Sequence, residues 1–256
     1  MIARLKRAIR GAIESQGYFV RPTSEFGFSL GEDLRRLMGD RAEPRIFDVG
    51  ANSGQWLTSI KSTFPHAHVH CYEPDERAFG LLRETARGLS ATECVQCALG
   101  REPGTMTFFR NADSVTSSLL RTAAQKDPLP YAEKLAAMDA VQMEVRTVSS
   151  EFERQNIKHL DLLKTDCQGF DLRVLEGATR EIDAGRIDLI ATEALFHLEY
   201  EGQAWFHEIL GWLTARGFAL IGLYDIMHNE SGRALFGDAL FARSEAGSPD
   251  PAPPNA

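Results

Sequence analysis

A short apolar run, Ile46-Phe47, leads directly into Asp48-Val49-Gly50-Ala51-Asn52-Ser53-Gly54-Gln55, and a second run, Val69-His70-Cys71-Tyr72, closes on Glu73. The order reads as a strand, a glycine-bearing turn, a helix and a second strand ending in an acid. Gly50 and Gly54 permit a tight strand-to-helix turn, and the free amides at the start of the following helix favour a carboxylate or a phosphate. Glu73 stands where a carboxylate can accept hydrogen bonds from both hydroxyls of a ribose. Each piece also has a plain structural reading, chain reversal for the glycines and a helix N-terminal charge for the acid. Together they read as half of a nucleotide-type cofactor site.

The pattern beyond this turn alternates strand and helix. It predicts strands at 45–49, 68–73, 92–98, 141–147, 160–165 and 187–192, with helices at about 54–63, 75–87, 170–183 and 203–216. Thr105-Met106-Thr107-Phe108-Phe109 reads as an extra strand, 111–140 carries no period, and Ser150-Glu151-Phe152-Glu153 fits the start of a short helix. Strands 218–224 and 236–242 have no helix between them and read as an antiparallel pair at one sheet edge. The expected fold is α/β, a doubly wound and mostly parallel sheet with its ligand site at the carboxyl ends of the strands. Residues 1–44 read as an N-terminal helical extension, with one helix over 1–16 and another around Leu30 to Met38. Residues 45–243 form the catalytic domain, and 244–256, with four prolines, a disordered tail.

Composition narrows the function. A net charge of −8 over 256 residues argues against broad nucleic-acid binding. One basic stretch stands apart: Arg4, Lys6, Arg7 and Arg10 interleave with Ile2, Leu5, Ile9 and Ile13 at helical spacing. This is either a capping helix with a solvated face or a peripheral membrane contact through residues 1–16. No apolar stretch reaches the ~18 residues of a spanning helix, and no secretory segment opens the chain. The expected location is cytoplasmic, at most peripheral to a membrane. Cys71, Cys94, Cys97 and Cys167 read as buried free thiols, since the lone Cys94/Cys97 pair has no second pair to build a zinc site.

A dinucleotide fingerprint requires G-x-G-x-x-G, whereas Asn52 stands in the place of its second glycine and no glycine occupies the third. That departure favours S-adenosylmethionine over a nicotinamide dinucleotide. Asp48 to Gln55, Tyr72-Glu73-Pro74, Ala98-Leu99-Gly100, Ser117-Ser118-Leu119, Leu163-Lys-Thr-Asp-Cys-Gln-Gly-Phe-Asp171 and Val174-Leu175-Glu176-Gly177-Ala178 stand in this order between about Arg45 and Arg243. In this combination the chain resembles the FkbM-type S-adenosylmethionine-dependent methyltransferases. The resemblance implies a class I methyltransferase (Rossmann-like) fold acting on a hydroxyl of a sugar, glycolipid or polyketide. It also implies that Asp48, Gly50, Asn52, Gly54 and Gln55 lie at the methionine end of the cofactor, with Glu73 on the ribose and Ala98 and Leu99 framing adenine. Thr165 and Cys167 depart from the family's usual Ile and Val and read as packing variation.

Methyl transfer to a hydroxyl requires an in-line approach and a base for the departing proton. Asp166, at a strand end, is the first candidate. Glu193 follows the neighbouring strand, and His197 shares a face with it if that segment is helical, which would let Glu193 orient an imidazole base. These three also offer ligands to a divalent ion, but strand-end acids in such folds more often hydrogen-bond cofactor or substrate, so no metal is assigned. Ser117, Ser118 and Asp171 are the acceptor-side candidates, with Phe108, Phe109, Tyr131, Tyr200, Trp205 and His207 as further aromatic and polar neighbours. The partner expected is a small-molecule or glycan acceptor. Two other readings stay open, a catalytically silent cofactor-fold binding module and a nicotinamide-dependent oxidoreductase.

Overall fold

The structure, a computed structural model, describes residues 2–18, 25–124 and 129–244, with side chains from Arg4 onward. The tail expected beyond Ser244 and the Asp127-Pro128 break lie outside the described residues.

In chain order the elements are α1 (Ile2–Glu14), α2 (Leu30–Met38), β1 (Arg45–Val49), α3 (Gln55–Thr63), β2 (His68–Tyr72), α4 (Glu76–Ala86), β3 (Thr92–Val95), β4 (Ala98–Leu99) and β5 (Gly104–Asn111). They continue with β6 (Ala137–Arg146), α5 (Val148–Arg154), β7 (Leu160–Thr165), α6 (Asp171–Glu176), α7 (Thr179–Asp183), β8 (Ile187–Leu195), α8 (Phe206–Thr214), β9 (Phe218–His228) and β10 (Ala234–Arg243). The main sheet has seven strands in the order β3-β2-β1-β7-β8-β10-β9. All neighbouring pairs from β3 to β8 are parallel, and β10 runs antiparallel to both β8 and β9.

Why the central strands are nearly continuous in apolar residues follows from their place: both faces are covered. Successive residues point to opposite sides. Phe47, Leu163 and Ile190 therefore enter one core with Phe152, Val174, Ile182 and Leu213 from α5 to α8. Ile46, Leu162 and Leu189 enter the other, with Leu57 and Ile60 of α3, Leu82 of α4 and Leu34 and Met38 of α2. The helix ends follow local chemistry. Asp75 caps α4 by accepting from the Arg77 amide, and Ser29 caps α2 by accepting from Glu32.

Helix α2 is bound to the sheet by more than apolar contact. Buried Asp33 accepts hydrogen bonds from the Tyr224 hydroxyl of β9 (2.8 Å) and from the Gly27 amide (2.6 Å), and pairs with Arg36 at 3.1 Å.

Several boundaries differ from the sequence expectation. The strand predicted over 92–98 stops at Val95, and Ala98–Leu99 crosses to a second, three-stranded sheet ordered β4-β6-β5. Its strand β6 starts at Ala137 inside the stretch that carried no period, because its first residues are solvent-exposed and show no apolar alternation. Helix α5 starts at Val148, two residues before Ser150: Thr147 is its cap and accepts the Ser150 amide, and Ser150 Oγ accepts the Thr147 amide. The helix predicted over 170–183 is broken at Gly177, where a Cβ would stand 2.0 Å from the Gly100 carbonyl oxygen. Strand β8 runs on to Leu195 because β10 pairs with it over its whole outer half.

Replacing Asp33 by alanine is expected to lower stability by about 2–4 kcal/mol, since it strands the Tyr224 hydroxyl in the core. Tyr224→Phe should cost about 1 kcal/mol. Urea midpoints at constant slope measure both.

Candidate active site

A cavity of about 270 Å³ opens at the carboxyl ends of β1, β2 and β7. One wall is the turn between β1 and α3. Gly50 lies at φ +77°, and a Cβ there would stand 2.0 Å from the main-chain oxygen of Asp166. The turn thus needs glycine for close packing against the end of β7, beyond simple chain reversal. Asn52 also adopts a left-handed conformation, at φ +45°, which asparagine tolerates. Its amide nitrogen donates to Ser114 Oγ at 3.1 Å, which joins the turn to the segment after β5.

Under this turn lies a buried ion pair. Asp48 and Lys164 are register partners on β1 and β7, and Lys164 Nζ sits 3.0 Å from Asp48 Oδ1 and 3.7 Å from Asp166 Oδ2. Burial works against the Lys164 ammonium, but the Asp48 and Asp166 carboxylates outweigh it and hold the pKa above the ordinary lysine value. Removing one partner of such a pair costs about 3–5 kcal/mol through the charge left behind.

Glu73 closes the end of β2, only 5% exposed. Its two oxygens accept the amides of Asn52 and Asp75, each at 2.8 Å. Burial raises its pKa to about 7 against the pull of those amides. The wall divides by chemistry. Gly50, Asn52, Gln55, Lys164 and Asp166 are polar, whereas Tyr72, Pro74, Ala98, Leu99, Phe108, Leu119 and Phe170 form an apolar slot. This donor set suits a ligand with a charged amino-acid end, a ribose and a flat aromatic base.

A second cavity, of about 320 Å³, shares Val115, Asp166 and Gln168 with the first. Gln168 is left-handed at φ +54°. Its Nε2 donates to Asp166 Oδ1 (2.9 Å) and Glu193 Oε1 (3.1 Å), and its Oε1 faces the Tyr200 hydroxyl at 2.8 Å. Ser118 Oγ donates to the Gln168 carbonyl at 2.8 Å and fixes this loop from below.

Of the residues singled out in the sequence, Gly50, Asn52, Gln55, Glu73, Ala98, Leu99, Ser117 and Asp166 line the first cavity, and Asp166 and Glu193 the second. Asp48 and Gly54 stand behind the wall. Ser118 and Asp171 do too: Asp171 is buried and accepts the Cys167 amide at 3.1 Å, where burial raises its pKa to about 6. Phe108 and Tyr131 line cavities, whereas Phe109, Trp205 and His207 line neither. The helical relation between Glu193 and His197 does not hold, because Glu193 lies within β8 and His197 in the loop after it, outside both walls. The sequence reading passed over the roles of Lys164, Gln168, Glu199 and Asp238. A polar Gln168-Gly169 pair three residues after the end of a buried strand is the available signal for the second of these.

One group of described residues has metal-ligand spacing, His159, Asp161 and Asp188, at the amino ends of β7 and β8. Arg41 already pairs with both of its carboxylates.

A β3-β2-β1-β7-β8-β10-β9 sheet carrying an acid-ended β2 and a glycine turn over β7 defines a class I S-adenosylmethionine-dependent methyltransferase. The chain belongs to the FkbM methyltransferase family, whose domain model matches residues 48–220, more than half of its length. It is 27% identical over 199 residues to the 31-O-demethyl-FK506 methyltransferase FkbM of Streptomyces tacrolimicus, covering 70% of this chain and 74% of that one. It is 23% identical over 210 residues to the 2-O-methyltransferase NoeI of Sinorhizobium fredii, covering 80% and 82%. A third relative, Methyltransferase 1 of Beauveria bassiana, is 26% identical over 190 residues, with 68% and 72% covered. Among solved structures, an rRNA methylase from Streptococcus thermophilus gives a TM-score of 0.47 at 11% identity, over 84% of this chain and 94% of that one.

A carboxylate accepts hydrogen bonds best when it is ionised, so a ribose diol placed at Glu73 would be held best above the pKa of that side chain. Affinity for S-adenosylhomocysteine is therefore expected to rise as pH increases through about 7, the pKa to which burial raises Glu73. Calorimetric titrations from pH 5.5 to 8.5 should show this rise in the wild type and a flat, weaker profile in Glu73→Gln.

Proposed function

We propose that the chain transfers a methyl group to a hydroxyl oxygen of a sugar, glycolipid or polyketide-type small molecule, with Asp166 accepting the proton. The observation that carries this reading is the position of Asp166, the ionisable side chain common to both cavity walls. S-adenosylmethionine supplies an electrophilic methyl on a sulfonium. The first cavity then orients the methyl donor, the second receives the acceptor, and the base belongs at their junction. Asp166 is held there through the Gln168 amide and the nearby Lys164 ammonium. Glu193 sits under the same amide, but burial and then the neighbouring Asp166 charge raise its pKa well above the ordinary carboxyl value, so in the empty site it keeps its proton. The printed names of two relatives, a 31-O-demethyl-FK506 methyltransferase and a 2-O-methyltransferase, support an oxygen acceptor. Family membership favours methyl transfer over hydride transfer and over a silent binding module.

With labelled S-adenosylmethionine and a panel of methyl glycosides, lipid-linked sugars and macrolide alcohols, Asp166→Asn is expected to reduce kcat by about 10²–10⁴-fold. Its affinity for S-adenosylhomocysteine should stay within a few-fold of wild type. Turnover unchanged in Asp166→Asn and abolished in Glu193→Gln would move the base to Glu193.

We also propose that α1 rests on an anionic membrane surface. No described helix is long and apolar enough to cross a membrane. Leu5 (61%), Ile9 (51%) and Ile13 (39%) are exposed, and Arg4, Lys6, Arg7 and Arg10 are exposed beside them. A 13-residue helix is marginal in water without a surface to bury its apolar side. Its four basic residues in a chain of net charge −8 select an anionic partner, each contributing about 1 kcal/mol near such a surface. Co-sedimentation should show the protein on phosphatidylserine-containing vesicles at low salt, with release at high salt and in Ile9→Glu. Wild-type protein left in the supernatant removes the proposal.

A further inference from the structure

The second cavity has an unbalanced charge inventory. Its walls carry the carboxylates Asp166, Glu193, Glu199, Asp225 and Asp238 against a single ammonium, Lys134. Lys134 is half exposed and already paired with Asp113 at 3.2 Å. Lys164, nearby, is committed to Asp48 and Asp166, and Glu199 accepts the Tyr131 hydroxyl. Two acids remain. Glu193 on β8 and Asp238 on β10 are direct cross-strand partners, so their side chains leave the sheet on the same face. Among the described residues no basic side chain pairs with either.

Like charges directly opposite each other weaken a strand pair, and burial makes this more costly. Glu193 is only 8% exposed, and its Oε2, in a residue that lines the cavity, has no hydrogen-bond partner among the described residues. Oε1 is held by Gln168, so the free oxygen is the one left for a ligand. At about 320 Å³ the cavity lies within the ~300–1,000 Å³ span of small-molecule sites.

We infer that this cavity is a subsite for a protonated amine, and that the acceptor is a hydroxyl compound that also carries an amino group, with its ammonium between Glu193 and Asp238. The inference rests on the reading of Asp166 as the base at the junction, which places the reacting hydroxyl beside the subsite. An ammonium supplies donors to the free Glu193 oxygen and the opposing Asp238, and cancels charge that a neutral polyol would leave uncompensated. Burial, together with the charge of Asp166, raises the pKa of both acids, that of Asp238 to about 6, and burial raises Glu199 to about 7. Without a cation Glu193 keeps a proton, and an entering ammonium displaces it.

The test uses the full chain loaded with S-adenosylhomocysteine and matched probes: hexosamine methyl glycosides, amino-cyclitols and an amino-sugar macrolide, each beside its N-acetyl derivative. Calorimetry at pH 6.5 is expected to show the free amines binding at least tenfold tighter than their N-acetyl partners, with proton release in buffers of different ionisation heat. Glu193→Gln and Asp238→Asn should each abolish the tenfold preference while leaving S-adenosylhomocysteine affinity unchanged. Equal binding of amine and N-acetyl forms, or no binding by any amine, overturns the inference. So does binding of Mg²⁺ or Mn²⁺ that is lost in Glu193→Gln. Labelled methyl transfer separates this inference from the reading beneath it. Amines that bind selectively but never accept a methyl group defeat the O-methylation reading, whereas equal methylation of both forms defeats only the amine subsite.

Discussion

The ion pair between Asp48 and Lys164 organises everything above it. These residues face each other on adjacent parallel strands in the middle of the sheet, and neither side chain has more than slight access to water. A buried pair of this kind is a poor source of net stability, because desolvation offsets most of the attraction. It fixes position instead. Lys164 is also 3.3 Å from the Gly50 carbonyl and 3.7 Å from Asp166, so one ammonium ties the glycine turn, the floor and the strand-end acid to a common point. The close approach of Gly50 to the main chain of Asp166 then leaves no freedom between the two walls.

Much of the fold was legible because local pattern and global topology agree. The strands from Ile46, Val69, Leu160 and Ile187 are short apolar runs bounded by turn residues, and the helix cap at Asp75 follows from its own side chain. The antiparallel pair at the C-terminal edge could be read from the missing helix. What the sequence did not reveal depends on contacts distant along the chain. Thr147 caps α5 from one turn before the expected start, and the helix break falls at Gly177, whose close approach to Gly100, far upstream, leaves no room for a side chain. The first half of β6 is exposed and takes its strand form from pairing with β5 alone, so no periodicity marks it.

The candidate site divides in the same way. Glu73 and the glycine turn were legible because their spacing is itself the signal. The partition of the acids was not. Asp166, Asp171 and Glu193 look alike in a sequence, yet Asp166 faces two cavities, Asp171 turns inward to hold the Cys167 amide, and Glu193 meets Asp238 across a strand that arrives some forty residues later. Only the register of β8 with β10 brings those last two together. His197 does not share a helical face with Glu193 for a related reason: continued pairing with β10 keeps the chain extended where a helix would have aligned them.

Gln168 carries one further consequence. Both hydrogens of its amide are spent on Asp166 and Glu193, and its oxygen faces the Tyr200 hydroxyl. The amide that sits at the junction therefore has nothing left to donate to an incoming oxygen. An alcohol enters such a junction by giving its own hydrogen to a carboxylate, whereas an ether has none to give. Under the proposed O-methylation, the same arrangement that would hold an alcohol would loosen its grip on the methyl ether formed, so that turnover would be helped by what the junction cannot bind.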